Sequence, residues 1–209
     1  ELNGVSKELI LVPAYMVPGQ PGVVYLTRRA DAGVSISLLT NSLEATDVPA
    51  SHGAYAPYRK TLLEHGVQLF ELRRQAGDRS DSDTKPRFSR KGSSSGPSSS
   101  SDSSLHTKAM VFDQQKAFVG SFNFDSRSLL WNTEVGVLVD DPQLAGRVRE
   151  LAMEGMAPAL SYQARLQDDH LVWVTEDNGQ QRTLTTEPGG WWRRLKSWLS
   201  STIGLGKML

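Results

Sequence analysis

His106 and Lys108 stand two residues apart in LHTKAMVFD, residues 105–113. Side chains on a strand alternate between faces, so an imidazole and an ammonium at this spacing project side by side while Thr107 points away. A nucleophile or base then sits beside a fixed cation. The chain turns at Asp113 to Gln115 and returns as KAFVGS, and Ser121 and Asn123 repeat the spacing at the end of that second strand. Asn132 and Glu134 repeat it at the start of a third. Taken singly, each pair has a plain structural reading: a satisfied histidine, a snorkelling lysine, turn residues. Three polar pairs at the edges of three consecutive apolar strands are costly unless their polar atoms find partners, and together they describe a site.

The elements that must position these residues are strands and helices in alternation. ELILVPAY (8–15), VSISLLT (34–40) and VQLFEL (67–72) are short, apolar runs that read as buried strands. Between them, Val23, Val24, Leu26 and Ala30 ending at Gly33, and Tyr55, Tyr58, Leu62 and Leu63 ending at Gly66, follow helical spacing. This order predicts an α/β fold with a parallel sheet. Strands are expected again over 105–112, 116–121 and 133–140, then a helix from Pro142, and a hairpin over 171–188 turning at Asn178–Gly179. Between Gly92 and Ser104 nine of thirteen residues are serine, so residues 76–104 read as a flexible insert.

Composition narrows the chemistry. The 209 residues carry 23 Lys plus Arg against 23 Asp plus Glu, a net charge of zero, which disfavours counterion-driven binding to nucleic acid. With no cysteine, thiolate nucleophiles, disulfides and Cys-ligated zinc are excluded. The four histidines show no two-His helical spacing, so no metal or other cofactor is expected. A Gly-x-Ser-x-Gly match at Gly92, Ser94 and Gly96 lies in the serine tract, without the strand-turn-helix context that a serine hydrolase needs. No run approaches the length of a membrane span. The chain opens at Glu1 without Met and runs almost directly into a strand, so residues upstream are expected.

HTKAMVFD, then GSFNFDSRS, then NTE resemble the His-x-Lys-x4-Asp, Gly-Ser-x-Asn and Asn-x-Glu pattern of the phospholipase D superfamily. PAYMVPG (13–19), TNSLEATDVPASHGAYAPYR (40–59) and LLEHGVQLFEL (62–72) further resemble the C-terminal half of bacterial cardiolipin synthases of the C type. The resemblance implies a phospholipase D-like sheet flanked by helices and phosphatidyl transfer between glycerophospholipids through a phosphohistidine. His106, Lys108, Asp113 and Glu134 would form the catalytic set. Lys108, Ser121 and Asn123 would hold the phosphoryl oxygens, and Glu134 would bond the far ring nitrogen of His106. Asp113, on the turn, is expected to anchor the hairpin rather than touch substrate. Asn41, in a loop after a strand's carboxyl end, is a further candidate for binding substrate.

The superfamily pattern needs two such motifs, and this sequence has one: His52, His65 and His170 are not followed by Lys two residues later. The second imidazole is expected from an N-terminal half or a second subunit. The alternative is a phosphodiesterase or nuclease acting as a homodimer, which the neutral charge disfavours. Residues 1–160 are expected to form the catalytic half-domain, and 161–209 a hairpin and an amphipathic helix. In that helix Trp191, Trp192, Leu195, Trp198, Leu199 and Ile203 share one side, opposite Arg193 and Lys196. Residues 190–209 would contact a membrane surface peripherally, at the cytoplasmic face of a bacterial inner membrane.

Overall fold

A computed structural model describes residues 2–74, 105–125 and 133–190. The serine-rich insert, Asn132 and the amphipathic segment from Trp191 onward lie outside the described residues.

Among the described residues nine strands form one open sheet: β1 (Glu8–Val12), β2 (Ser35–Asn41), β3 (Gln68–Leu72), β4 (Lys108–Phe112), β5 (Lys116–Gly120), β6 (Gly136–Asp140), β7 (Ser161–Gln167), β8 (His170–Asp177) and β9 (Gln180–Leu184). Their spatial order is β6-β5-β4-β1-β2-β3-β7-β8-β9. The parallel sheet expected from the first three strands is present: β1 pairs with β2 and β2 with β3 in parallel. It is the centre of a mixed sheet, because β4 and β7 add to its two sides antiparallel and continue outward as hairpins.

Helix α1 (Gly19–Asp31) crosses from β1 to β2, while α2 (Pro49–Tyr55) and α3 (Arg59–Glu64) lie between β2 and β3. Positive φ angles of 91° at Gly33 and 82° at Gly66 let the chain turn out of α1 and α3, a conformation that a Cβ disfavours. The second helix expected from Tyr55 onward starts earlier, at Pro49, and is interrupted by a 3₁₀ turn over Ala56–Tyr58. Pro57 explains the break, since it has no N–H to donate to the preceding turn.

Alternation along β1 splits the core into two layers. Leu9 and Leu11 pack with Val23, Leu26, Tyr55 and Leu62 on the face covered by α1 to α3. Ile10 and Val12 pack with Val148 and Ala152 of α4 (Pro142–Gly155) on the other. A strand covered on both faces must be apolar throughout, which is why ELILV does not alternate with polar residues. Burying each such aliphatic side chain contributes roughly 1.5–3 kcal/mol. Asp141 caps α4 by accepting from the Gln143 and Leu144 amides.

Three hairpins turn through adjacent residues at positive φ: Asp113–Gln114, where three residues separate the paired Phe112 and Lys116, and Asp168–Asp169 and Asn178–Gly179, which are two-residue loops. The first and third sit where the sequence marks turns. The strand before the second, SYQARLQ, is absent from the sequence reading; through its pairing with β3 the C-terminal hairpin extends the central sheet.

Candidate active site

The antiparallel pairing of β4, β5 and β6 brings the three polar segments together. Lys108 at the start of β4 is in register with Gly120 at the end of β5, and Gly120 with Gly136 at the start of β6. The loops carrying His106, Ser121 with Asn123, and Glu134 therefore leave the sheet at the same end. Because β1 runs antiparallel to β4, with Val12 opposite Ala109, the carboxyl ends of β1 and β2 lie there as well. Sequence spacing put His106 inside the strand. In the structure β4 begins at Lys108, and exposed His106 occupies the segment leading into it.

Lys108 is half-buried and its Nζ donates to the His106 carbonyl at 3.0 Å. Loss of solvent lowers its pKa, opposed by the charges of Glu134 and Asp47. The Ser121 hydroxyl donates to Glu134 Oε2, and its Oγ accepts from the Val135 amide at 3.0 Å. Among the described residues Glu134 thus meets Ser121, and no hydrogen bond reaches the His106 ring. Asn123 Oδ1 accepts from the Tyr15 amide at 3.3 Å, and the Tyr15 hydroxyl donates to Asp47 at 2.7 Å. Burial, then Asp47, raises the Tyr15 hydroxyl pKa, so Tyr15 stays a proton donor. Beside Glu134 an apolar groove of about 450 Å³ opens between Leu2, Met110, Phe112, Phe118, Phe122 and Leu138.

Asp113 lies at the other end of β4. Its carboxylate accepts from the amides of Ser6, Lys7 and Glu8 at 2.9, 2.7 and 2.9 Å and from the Ser6 hydroxyl at 3.1 Å. Desolvation acts to raise its pKa, but these donors outweigh it and the net shift is downward. This supports the anchoring role expected of it. Asp113→Asn is expected to cost about 1–2 kcal/mol, at the low end for charged hydrogen bonds because the site is open to solvent. The part that depends on ionisation is present above the ordinary carboxylate range and disappears as pH falls below it; chemical denaturation at pH 7 and pH 3 checks both points.

Asn41 is 2% exposed, and its amide is engaged with main-chain groups of Leu105 and Ala14. It is the last residue of β2 rather than part of a loop, and its side chain is buried against main-chain groups.

Sequence reasoning missed a buried ionic group beneath the site. Arg59 Nη1 bonds Glu71 Oε1 at 3.0 Å and Glu187 Oε1 at 2.6 Å, His52 Nε2 lies 2.6 Å from the same Glu187 oxygen, and Trp173 Nε1 donates to Glu71 Oε2 at 2.9 Å. His52, Glu71 and Glu187 offer metal-type ligand atoms within 4.8 Å of one another, but the Arg59 guanidinium already binds both carboxylates and is the cation of this cluster. The only sequence signal was a charged residue at a core position of a strand, Glu71 in LFEL. Burial acts to raise the Glu187 pKa, yet His52 and Arg59 overcome it and hold the group at about 2. A depressed carboxylate stabilises the fold fully above its unfolded value near 4.5, and that contribution is lost as pH falls from there toward 2. Glu187→Gln is therefore expected to lower stability at pH 7 and to flatten its fall between pH 5 and pH 3, read from urea denaturation midpoints.

Comparison with known proteins adds the following. A family described as "Cardiolipin synthase, PLD-like domain" matches residues 1–154. Cardiolipin synthase C of Escherichia coli (strain K12) is 35% identical over 204 residues, which is 97% of this chain and 41% of that protein. The chain thus spans well under half the length of that relative. Among solved structures, phosphatidylserine synthase of Haemophilus influenzae superposes with a TM-score of 0.61 at 14% identity, covering 99% of this chain and 42% of that one. Nuc of Salmonella typhimurium, a phospholipase D family member, superposes at 0.54 and 16% identity, covering 79% and 86%. These likenesses identify the fold.

Proposed function

The chain belongs to the phospholipase D-like domain family of cardiolipin synthases, and on that premise we propose that it supplies one of two imidazoles for phosphatidyl transfer between glycerophospholipids. The observation that carries the reading is the shared register of Lys108, Gly120 and Gly136, which gathers the three polar segments at one end of the sheet.

In the first step one imidazole attacks the phosphodiester, forming an N–P bond as the P–O bond to the leaving alcohol breaks. The second imidazole gives that alcohol its proton. In the second step the hydroxyl of another glycerophospholipid loses its proton to the second imidazole and attacks phosphorus, and the N–P bond breaks. Lys108, Ser121 and Asn123 hold the non-bridging oxygens, where charge accumulates. Glu134 accepts the Ser121 hydroxyl before reaction and turns to the His106 ring when that ring becomes cationic, which frees the hydroxyl to donate to a phosphoryl oxygen. The products are cardiolipin and a small alcohol.

The second imidazole comes from a part of the protein outside this chain or from a second subunit, so the chain alone is expected to be inactive as a monomer. The apolar groove beside Glu134 supports an amphiphilic substrate over a nucleic acid, as does the zero net charge. Among the described residues no helix is long and apolar enough to cross a membrane. Residues 190–209 make a peripheral contact at the cytoplasmic face of the inner membrane, and deleting them is expected to weaken liposome flotation.

The test uses the whole protein on vesicles of mixed bacterial phospholipids, with products identified by mass spectrometry. Cardiolipin formation that disappears in the His106→Ala variant supports the reading. Cleavage of duplex DNA with no lipid product overturns it.

A further inference from the structure

We propose that Asn41 is a positioning residue that sets both His106 and Asn123 from within the fold, in place of the direct substrate contact expected of it from the sequence. This rests on the reading of those two residues as parts of the reacting site.

The sheet leaves two backbone groups over ahead of β4. β4 starts at Lys108, so Leu105, 1% exposed and next to His106, has no strand partner for either main-chain group. A buried peptide without partners is costly, and some side chain must complete it. Asn41 does so in both directions: Oδ1 accepts from the Leu105 amide at 2.8 Å, and Nδ2 donates to the Leu105 carbonyl at 3.0 Å. The side-chain amide thus acts as one more strand residue, holding the peptide that carries the imidazole.

Its other amide hydrogen goes to the Ala14 carbonyl at 3.1 Å, two residues beyond the end of β1. The next residue, Tyr15, donates its amide to Asn123 Oδ1 at 3.3 Å. One carboxamide therefore links the approach to His106 with the loop that fixes Asn123, although Asn41 and Leu105 are 64 positions apart. Only a side chain with a donor and an acceptor at this short reach can serve. Aspartate is nearly the same size, but it would turn a carboxylate toward two carbonyl oxygens, and alanine leaves the Leu105 peptide unpaired.

The test uses the whole protein, with a chromogenic phosphodiester as probe beside the lipid assay. Asn41→Asp and Asn41→Ala are expected to lower kcat about a hundredfold per folded molecule, the scale set by small misplacements of a reacting group, with KM changed less than about threefold. A rise in KM at unchanged kcat would make Asn41 a substrate ligand and overturn the proposal. So would a kcat that is unchanged once corrected for the folded fraction, which would leave Asn41 a stabilising residue only. Should neither variant fold, hydrogen exchange on the wild-type protein decides: the Leu105 amide, outside any strand, is expected to exchange slowly, and rapid exchange overturns the clamp. A wild-type protein that cleaves the chromogenic phosphodiester but transfers no lipid would count against the lipid reading alone, because the probe reports on the clamp without it.

Discussion

Alanine at His106 is expected to lower turnover of the whole protein by about ten-thousand-fold or more, while the melting temperature moves by no more than about 2 °C. The kinetic loss is large because the ring is assigned either the covalent bond to phosphorus or the proton transfers that flank it, and no other described side chain at that end of the sheet can take over. The thermal change is small because His106 is exposed, and no hydrogen bond among the described residues ties its ring down. Steady-state rates and a thermal melt on the same preparations check the pair of values. A variant with ordinary turnover would remove His106 from the mechanism, and one that unfolds would make it structural.

Arg59→Ala is expected to have the opposite profile, a loss of about 3–5 kcal/mol in stability, or on the order of 10 °C in melting temperature. Arg59 is 4% exposed and Glu71 0%. The guanidinium bonds Glu71 and Glu187 and lies 5.6 Å from the Tyr55 ring centroid and 5.3 Å from that of Trp173. Burial acts to lower its pKa, but the two carboxylates outweigh that and the group stays charged. Its removal leaves Glu71 as an uncompensated charge in the core, still accepting from the Trp173 indole of β8. A double variant, Arg59→Met with Glu71→Leu, is expected to recover most of the loss, since the penalty comes from the orphaned charge rather than from the missing bridge. Urea denaturation of the three proteins separates these contributions; a double variant as unstable as Arg59→Ala would contradict it.

Most of the site's framework could be read in the sequence because it depends on near neighbours. The three-residue turn Asp113 to Gln115 sets Phe112 opposite Lys116, and that register puts Lys108 opposite the glycine before Ser121. The alternation of helices with ELILV, SISLLT and QLFEL was enough to place the parallel centre. What escaped depends on long-range contacts. SYQARLQ has too few apolar residues to announce a strand, and it becomes one because β3 offers it an edge. The placement of His106 ahead of the strand, next to a Leu105 that Asn41 bonds from 64 residues away, has no local signal. Nor does the union of Arg59 with Glu187, 128 residues apart, since either would pass for a surface charge. Asp113 shows the middle case: its place on a turn was visible, but its bonds to the Ser6–Glu8 amides were not.

The central claim is that His106, Lys108, Ser121, Asn123 and Glu134 form one cradle for a phosphodiester. A crystal structure of the whole protein with vanadate, which mimics the five-coordinate phosphorus of the transition state, tests it most directly. The account predicts vanadium at this end of the sheet, bonded to Nε2 of His106 or of the second imidazole facing it, with Lys108 Nζ and the Asn123 carboxamide on its oxygens. Vanadate bound elsewhere, or held here without contact from His106 and Lys108, would contradict it.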